Sequence, residues 1–164
     1  MSPETLIHLS LTVLLLPLAG FVLMMFFGRK LPRQGDWLAT GISTVALVIA
    51  LVVLYQKLTV MPGQDAILNF PWINMHNLPG IGPVSIVLGV GVDNLAAIMM
   101  VVVMIISALV HWFSIGYMEG DVRYARYFGY LGLFTFSMLT IVLANNLFLL
   151  YVGWELVGIC SYLL

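Results

Sequence analysis

The chain has 164 residues, of which 62% are hydrophobic and only 8% are charged, and its mean hydropathy is +1.10. Soluble domains carry about 25% charged residues, so this composition predicts an integral membrane protein. The net charge of −1 gives no indication of nucleic-acid binding, and the single cysteine, Cys160, excludes an internal disulfide and any multi-cysteine metal site.

Residues 1–57 predict two transmembrane helices. The first runs from Thr5 to Phe27 and the second from Trp37 to Tyr55. Each run is apolar and has the length that a bilayer core of about 30 Å requires. Pro17 and Gly20 are expected to bend the first helix, where neighbouring helices can satisfy the freed backbone groups.

Residues 58–92 predict a long external loop between the second and third helices. Four of the seven prolines fall in this segment. Its second half contains the run VSIVLGVGVD, whose β-branched residues and glycines are typical of a strand. We therefore expect a short β-hairpin that lies on the membrane surface.

A third helix is predicted to begin after Asp93 and to end near Phe113. The Asp93 side chain can accept hydrogen bonds from the free amides of the first turn, so a helix cap is its favoured role. His111 lies close to the end of this helix. Two interpretations stay open for His111: an interfacial side chain among lipid headgroups, or a proton relay.

The segment YMEGDVRYARY is the most polar part of the chain and precedes a fourth helix. This helix is predicted to begin at Tyr124 or Arg126 and to end at Leu143. Asp121 can cap its first turn. Asp121 and Arg126 are therefore interpreted as residues that support the loop and the helix start rather than as catalytic groups.

Residues 148–164, FLLYVGWELVGICSYLL, predict a fifth helix, joined to the fourth by a tight Asn-Asn turn and antiparallel to it. Its single acid, Glu155, lies near the middle of the run. At helical spacing, Tyr151, Glu155, Gly158 and Tyr162 form one stripe. A carboxylate at that depth costs about 3 kcal/mol, so the stripe is expected to face protein or internal water rather than lipid.

Two interpretations of Glu155 follow from this position. It is either a structural carboxyl group, protonated and hydrogen-bonded between helices, or a group that accepts and releases protons. The depth of the acid and its aromatic and glycine neighbours favour proton transfer, with Tyr151 as a supporting residue.

The basic residues predict the orientation. One basic residue, Lys57, falls on the side of the long loop, and five fall in the other two loops: Arg29, Lys30, Arg33, Arg123 and Arg126. The positive-inside rule then places the amino terminus outside and the carboxyl terminus inside. The expected fold is an all-α integral membrane protein with about five transmembrane helices. Lys30 and Lys57 are expected in loops, which leaves no lysine within the membrane.

Residues 80–164 resemble the antiporter-like membrane subunit of respiratory complex I, NADH:quinone oxidoreductase subunit L, called chain 5 in mitochondria. The motifs SIGYM, YARYF, LFTFSM and GWE-VG-CSYLL occur here in that family's order. The first two helices fit the family's layout but carry no motif of their own. By this resemblance, residues 80–128 form a region like the chain 5 amino terminus, and residues 129–164 begin a truncated proton-conducting domain.

The resemblance implies roles for individual residues. Glu155 falls on the glutamate of the family's GWE motif, which takes part in proton transfer with a lysine two helices later. Asp93 and His111 match positions that are usual in the family. Family members have more than a dozen helices and buried lysines, so this chain is expected to hold one half of the carboxylate–lysine pair.

The resulting hypothesis is an amino-terminal portion of a proton-translocating subunit in a bacterial inner membrane; a mitochondrial inner membrane is the less favoured site. The chain is expected to bind no cofactor or metal, with NAD, FMN, iron–sulfur clusters and quinone held by other subunits. Its expected partners are other complex I membrane subunits, protons and the bilayer. The alternatives are the large subunit of a multisubunit cation/proton antiporter and a structural scaffold without transport.

Overall fold

The protein is mainly helical and has one two-stranded sheet. The computed structural model describes residues 3–60, 65–78 and 82–164. In chain order the elements are α1 (Pro3–Phe27), α2 (Asp36–Thr59), β1 (Ala66–Leu78), β2 (Gly82–Val92), α3 (Asn94–Tyr117), α4 (Tyr124–Leu143) and α5 (Leu147–Leu163). The five predicted helices are confirmed, and α2 and α3 each extend about one turn beyond their predicted ends.

Within the described residues, α1 to α4 are long and apolar enough to cross a membrane. The apolar helix α5 has 17 residues, which is the lower end of the range of about 17–25 residues for transmembrane helices. The prediction of an integral membrane protein built from about five helices is therefore confirmed.

The helices pack as a bundle in which α1 contacts α2 and α4, α2 contacts α3, and α3 contacts α4. Small residues allow close approach where the helices cross. A Cβ atom added at Gly132 of α4 would lie 3.0 Å from the carbonyl oxygen of Pro17 in α1. Membrane helices gain no hydrophobic energy by leaving lipid for one another, so such close backbone contacts are what holds them together.

The long loop forms an antiparallel hairpin, as expected, although its strands of 13 and 11 residues are longer than a short hairpin. The register pairs Ala66 with Val92 and Phe70 with Leu88, with a shift between Pro71 and Ile73. Proline has no amide hydrogen for the ladder, which explains an irregularity at that point. Residues 61–64 and 79–81 of the predicted loop lie outside the described residues.

The hairpin is tied to the turn between α4 and α5. The backbone amide of Asn145 donates a hydrogen bond to the Gly89 carbonyl at 3.1 Å, and the Asn146 side-chain amide donates to the Val87 carbonyl at 2.7 Å. The Asn146 side-chain oxygen also accepts a hydrogen bond from the Leu149 amide and caps α5. The hairpin therefore fixes where α5 begins.

The expectation that Lys57 lies in a loop is wrong. Because α2 continues to Thr59, Lys57 lies in its last turn and is completely buried. Its ammonium group donates a hydrogen bond to the Val92 carbonyl at 3.0 Å and lies 3.5 Å from the Asp65 carboxylate. These contacts join the end of α2 to the junction between β2 and α3.

The two short connections, α1–α2 and α3–α4, lie at the same end of the bundle, which we call the loop end. Tyr124 at the start of α4 donates a hydrogen bond to Asp36 at the start of α2, at 2.9 Å. The hairpin and Lys57 lie at the opposite end. The five-to-one division of basic residues between the two ends is therefore confirmed.

Which end faces the cytoplasm can be tested by thiol labelling of the full-length protein, in a Cys160→Ser background. In the predicted orientation, Ile67→Cys in the hairpin should react with an impermeant reagent in intact cells. Val122→Cys, whose side chain is 90% exposed at the loop end, should react only after the membrane is permeabilised. The reverse pattern would contradict the amino-terminus-out orientation.

Candidate functional site

The helix α5 rests on α4 by one face only. Gly153 and Cys160 are its buried residues. A Cβ atom added at Gly153 would lie 2.9 Å from Ile141 Cγ1 and 3.3 Å from Thr140 Cγ2, so α4 and α5 are in close contact there. Gly153 therefore permits the close packing of α4 and α5. The space around Gly158 is open.

The opposite face of α5 carries Glu155. The stripe of Tyr151, Glu155, Gly158 and Tyr162 points away from the other four helices, and Glu155 is exposed. The expectation that the stripe faces protein or internal water rather than lipid stays a prediction, because the described residues leave this face open. It is open because α5 uses its Gly153 face for contact with α4 and turns the acidic face outward.

Tyr151 is the described neighbour of the Glu155 carboxylate. The two residues lie one helical turn apart on the same exposed face of α5, so their side chains are neighbours. A carboxylate and a neighbouring phenol can hold a proton at the acid and orient it through the hydroxyl group. This pair is the candidate proton-transfer site on α5.

His111 lies inside the bundle and is only 2% exposed, so the interpretation as an interfacial side chain among headgroups is wrong. Its Nδ1 lies 2.8 Å from the carbonyl oxygen of Ser107, and its ring packs on Phe128 with centroids 6.1 Å apart. A carbonyl oxygen can only accept, so Nδ1 carries the hydrogen and Nε2 keeps the lone pair.

A chain of hydroxyl groups adjoins His111, and sequence reasoning missed it. The Ser107 hydroxyl lies 2.8 Å from that of Thr135 and 3.2 Å from that of Ser43. These side chains come from α3, α4 and α2. The sequence does show single serine and threonine residues inside apolar runs. It does not show which of these side chains face one another in the folded bundle.

Asp36 is a second missed residue. It is 1% exposed, at the start of α2, and its carboxylate accepts hydrogen bonds from Tyr124 Oη at 2.9 Å and from the Trp37 amide at 2.7 Å. The Arg33 guanidinium lies 3.2 Å away. An acid directly after a basic loop and before an apolar helix was the available signal.

The supporting residues predicted from the sequence do not gather around Glu155. Asp93 accepts a hydrogen bond from the Ala96 amide at 2.6 Å, which confirms its role as the cap of α3 at the hairpin end. Asp121 accepts from the Arg123 amide at 2.6 Å. It therefore fixes the loop rather than capping α4, whose N-cap residue is Arg123. Arg126 is exposed at the loop end.

Among the described residues, no group of three or more histidine, cysteine or acidic side chains has an arrangement that could hold a metal ion. The polar groups that the structure brings together are a carboxylate–phenol pair on α5, a hydroxyl–imidazole chain in the bundle, and a carboxylate at the loop end.

The chain is similar in sequence to known membrane proteins. Residues 78–128 match the family model for the chain 5 N-terminus of NADH-ubiquinone oxidoreductase (complex I). Over 154 residues, 94% of the chain, it is 36% identical to NADH-ubiquinone oxidoreductase chain 5 of Hypocrea jecorina and 39% identical to that of Neurospora crassa. The chain covers 21% of the length of each.

A solved structure of an Mrp complex from a Dietzia species contains a similar chain. The TM-score is 0.72 at 25% sequence identity, and the match covers 96% of this chain and 16% of the other. The fold and the sequence together define a multi-pass membrane protein. The chain resembles the amino-terminal part of chain 5 of complex I over almost its whole length.

Proposed function

We propose that this chain is the amino-terminal part of a proton-translocating membrane subunit of NADH:quinone oxidoreductase, in which Glu155 takes up and releases protons. The observation that carries the proposal is the similarity to chain 5 across 94% of the chain. The subunit itself transfers no electrons, and other subunits hold the redox groups.

Glu155 would work with groups beyond the described residues. Its face of α5 is open, and an acid facing lipid costs about 3 kcal/mol, so another part of the subunit or a neighbouring subunit must cover it. Lys57 is not a suitable partner, since it lies at the hairpin end in contact with Val92 and Asp65. A change of charge or conformation beside Glu155 would alter its proton affinity and drive transfer.

The expected location is an energy-converting membrane, and we place the protein in a bacterial inner membrane with other complex I membrane subunits. Chemical crosslinking of native membranes should recover those subunits together with this protein. Recovery of the protein only as a monomer, from a preparation in which complex I is intact, would contradict the assignment.

The structural similarity to the Mrp complex supports a second function, the large subunit of a multisubunit cation/proton antiporter. The same crosslinking separates the two functions. Subunits of an NADH dehydrogenase would support complex I, whereas small membrane subunits without any NADH-oxidising component would support the antiporter.

A further inference from the structure

Two rows of buried polar residues face each other in the interior of the bundle. On α2 the row is Asp36, Thr40 and Ser43, and on α3 it is Ser114, His111 and Ser107. Each row has steps of four and three residues, so each occupies one helix face. We call these six residues the polar column.

The polar column runs from the loop end toward the middle of the membrane. The helices α2 and α3 are antiparallel neighbours, and the rows meet at the inner end, where the Ser43 and Ser107 hydroxyls are 3.2 Å apart. At the outer end, Tyr124 Oη lies 2.9 Å from Asp36 and 3.3 Å from the Ile115 carbonyl. The rise from Asp36 to Ser43 is about 10 Å, a third of the bilayer core.

A cavity lies at each end of the polar column. The outer cavity has a volume of about 420 Å³ and opens to solvent at the loop end. Its lining includes Asp36, Tyr124, Glu119, Asp121 and Arg33, whose guanidinium lies 3.2 Å from the Asp36 carboxylate. The inner cavity offers about 10 Å³ to the centre of a water molecule, room for about one water. Its polar lining consists of Ser43, Ser107, His111 and Thr135.

Two polar groups along this route can each form a further hydrogen bond. Thr40 is 1% exposed, and its hydroxyl has no hydrogen-bond partner among the described residues. A buried hydroxyl without a partner costs about 1–3 kcal/mol, which a neighbouring water molecule would recover. His111 donates from Nδ1 to the Ser107 carbonyl, so its Nε2 lone pair is available to accept a proton.

The hydroxyl groups at the inner end are ordered in one direction. Thr135 donates its hydrogen to the Leu131 carbonyl at 2.9 Å, so it accepts from Ser107, which in turn accepts from Ser43. Each hydroxyl has one hydrogen to donate and two lone pairs. Ser43 therefore keeps its lone pairs available for a donor in the inner cavity.

We propose that the polar column is a hydrated proton inlet from the loop end to the centre of the bundle, with Asp36 at its mouth and His111 at its inner end. It involves α2, α3 and α4 and goes beyond the Glu155 site on α5. Three independent features support it: the aligned buried polar rows, the cavities at both ends, and the unpartnered Thr40 hydroxyl between them.

The proton balance is closed at each step. A hydronium ion in the outer cavity gives its proton to the Asp36 carboxylate and leaves water. Asp36 passes the proton, through water beside Thr40, to His111 Nε2, while Nδ1–H stays on the Ser107 carbonyl. The imidazolium then gives the proton to water in the inner cavity, and every group returns to its starting state.

Thr40→Val distinguishes a hydrated column from a dry one, because valine has the same shape as threonine and lacks the hydroxyl. In the full-length subunit within its complex, proton pumping per NADH oxidised should fall by about fivefold, the rate factor for the loss of about one hydrogen bond. Asp36→Asn, which cannot take up a proton, should reduce pumping further. Thr140→Val is the matched control, since Thr140 is buried and bonds the Phe136 carbonyl of its own helix.

The results that decide whether the polar column is an inlet do not depend on the results for the Glu155 variants. Wild-type pumping by Thr40→Val in assembled complex, or an equal loss in Thr140→Val, would overturn the inlet even if Glu155 variants fail to pump. A second readout needs no activity: a high-resolution structure of the intact complex should show water within hydrogen-bonding distance of Thr40 Oγ1. A dry, apolar surrounding of that atom would overturn the proposal whichever complex contains the subunit.

Discussion

Replacing Glu155 by glutamine in the full-length subunit is expected to reduce proton pumping by at least about tenfold while the complex still assembles. Glutamine keeps the size and most of the hydrogen bonding, but it cannot release a proton, and positioned proton-transfer groups contribute factors of roughly 100 or more. Assembly is retained because a neutral amide is easier to bury than a carboxylate. The measurement is pumping per NADH oxidised, normalised to assembled complex.

Two further variants test whether the loss of pumping is due to the acid at position 155. Glu155→Asp keeps the acid but withdraws it by one methylene from its partners, so pumping should be intermediate. Glu4→Gln is the control, because Glu4 is an exposed acid at the start of α1, far along the chain from α5. Unchanged pumping in Glu155→Gln would identify Glu155 as a structural carboxyl group.

Replacing Gly153 by leucine is expected to lower the amount of assembled complex rather than its turnover. Even a Cβ atom at this position would lie 2.9 Å from Ile141 Cγ1 and 3.2 Å from the Ile141 backbone nitrogen. The backbone of α4 cannot move away without disturbing its own helix, so the substitution should destabilise the α4–α5 contact by about 1–3 kcal/mol. Quantification of assembled complex in membranes, with activity per complex, tests this.

Gly41→Leu is the matched control for the packing effect. Gly41 also lies inside an apolar helix, but nothing in the described residues lies within 4 Å of a Cβ atom added there. Assembly should therefore be nearly normal in Gly41→Leu. If Gly153→Leu assembles as well as Gly41→Leu does, the close approach of α4 and α5 contributes little to the stability of the subunit.

Features that depend on neighbouring residues in the chain were predictable from the sequence. Long apolar runs bounded by glycine, proline and charged residues specify the helices, because a membrane-spanning backbone must bond to itself. Asp93 was recognised as a cap because the amide that it accepts from belongs to Ala96, three residues later. The hairpin was recognised from β-branched residues, but its length was underestimated.

Contacts between helices were decided by the tertiary structure alone. Asp36 and Tyr124 are 88 positions apart, and Ser43 and Ser107 are 64 apart. In a soluble helix, a polar face opposite an apolar face shows which side packs inward. Here lipid and protein are both apolar surroundings, so the sequence of α2 does not separate the face that holds Thr40 from the face that meets lipid.

The same limit applies to Lys57, which was wrongly expected in a loop, and to Glu155, whose partners the sequence did not identify. A charge within or beside an apolar run indicates that the folded protein gives it a polar environment. It does not indicate which residues or which neighbouring molecules form that environment. For Lys57 the environment is internal, a backbone carbonyl on β2 and the Asp65 carboxylate. For Glu155 the described residues supply Tyr151, one turn away on the same helix, and leave the rest of the face open. The sequence by itself determined which segments are helices and that the fifth of them carries a single acid, Glu155. Only the packing of α5 through Gly153 decided that this acid faces outward, because a helix can turn just one face toward its neighbour.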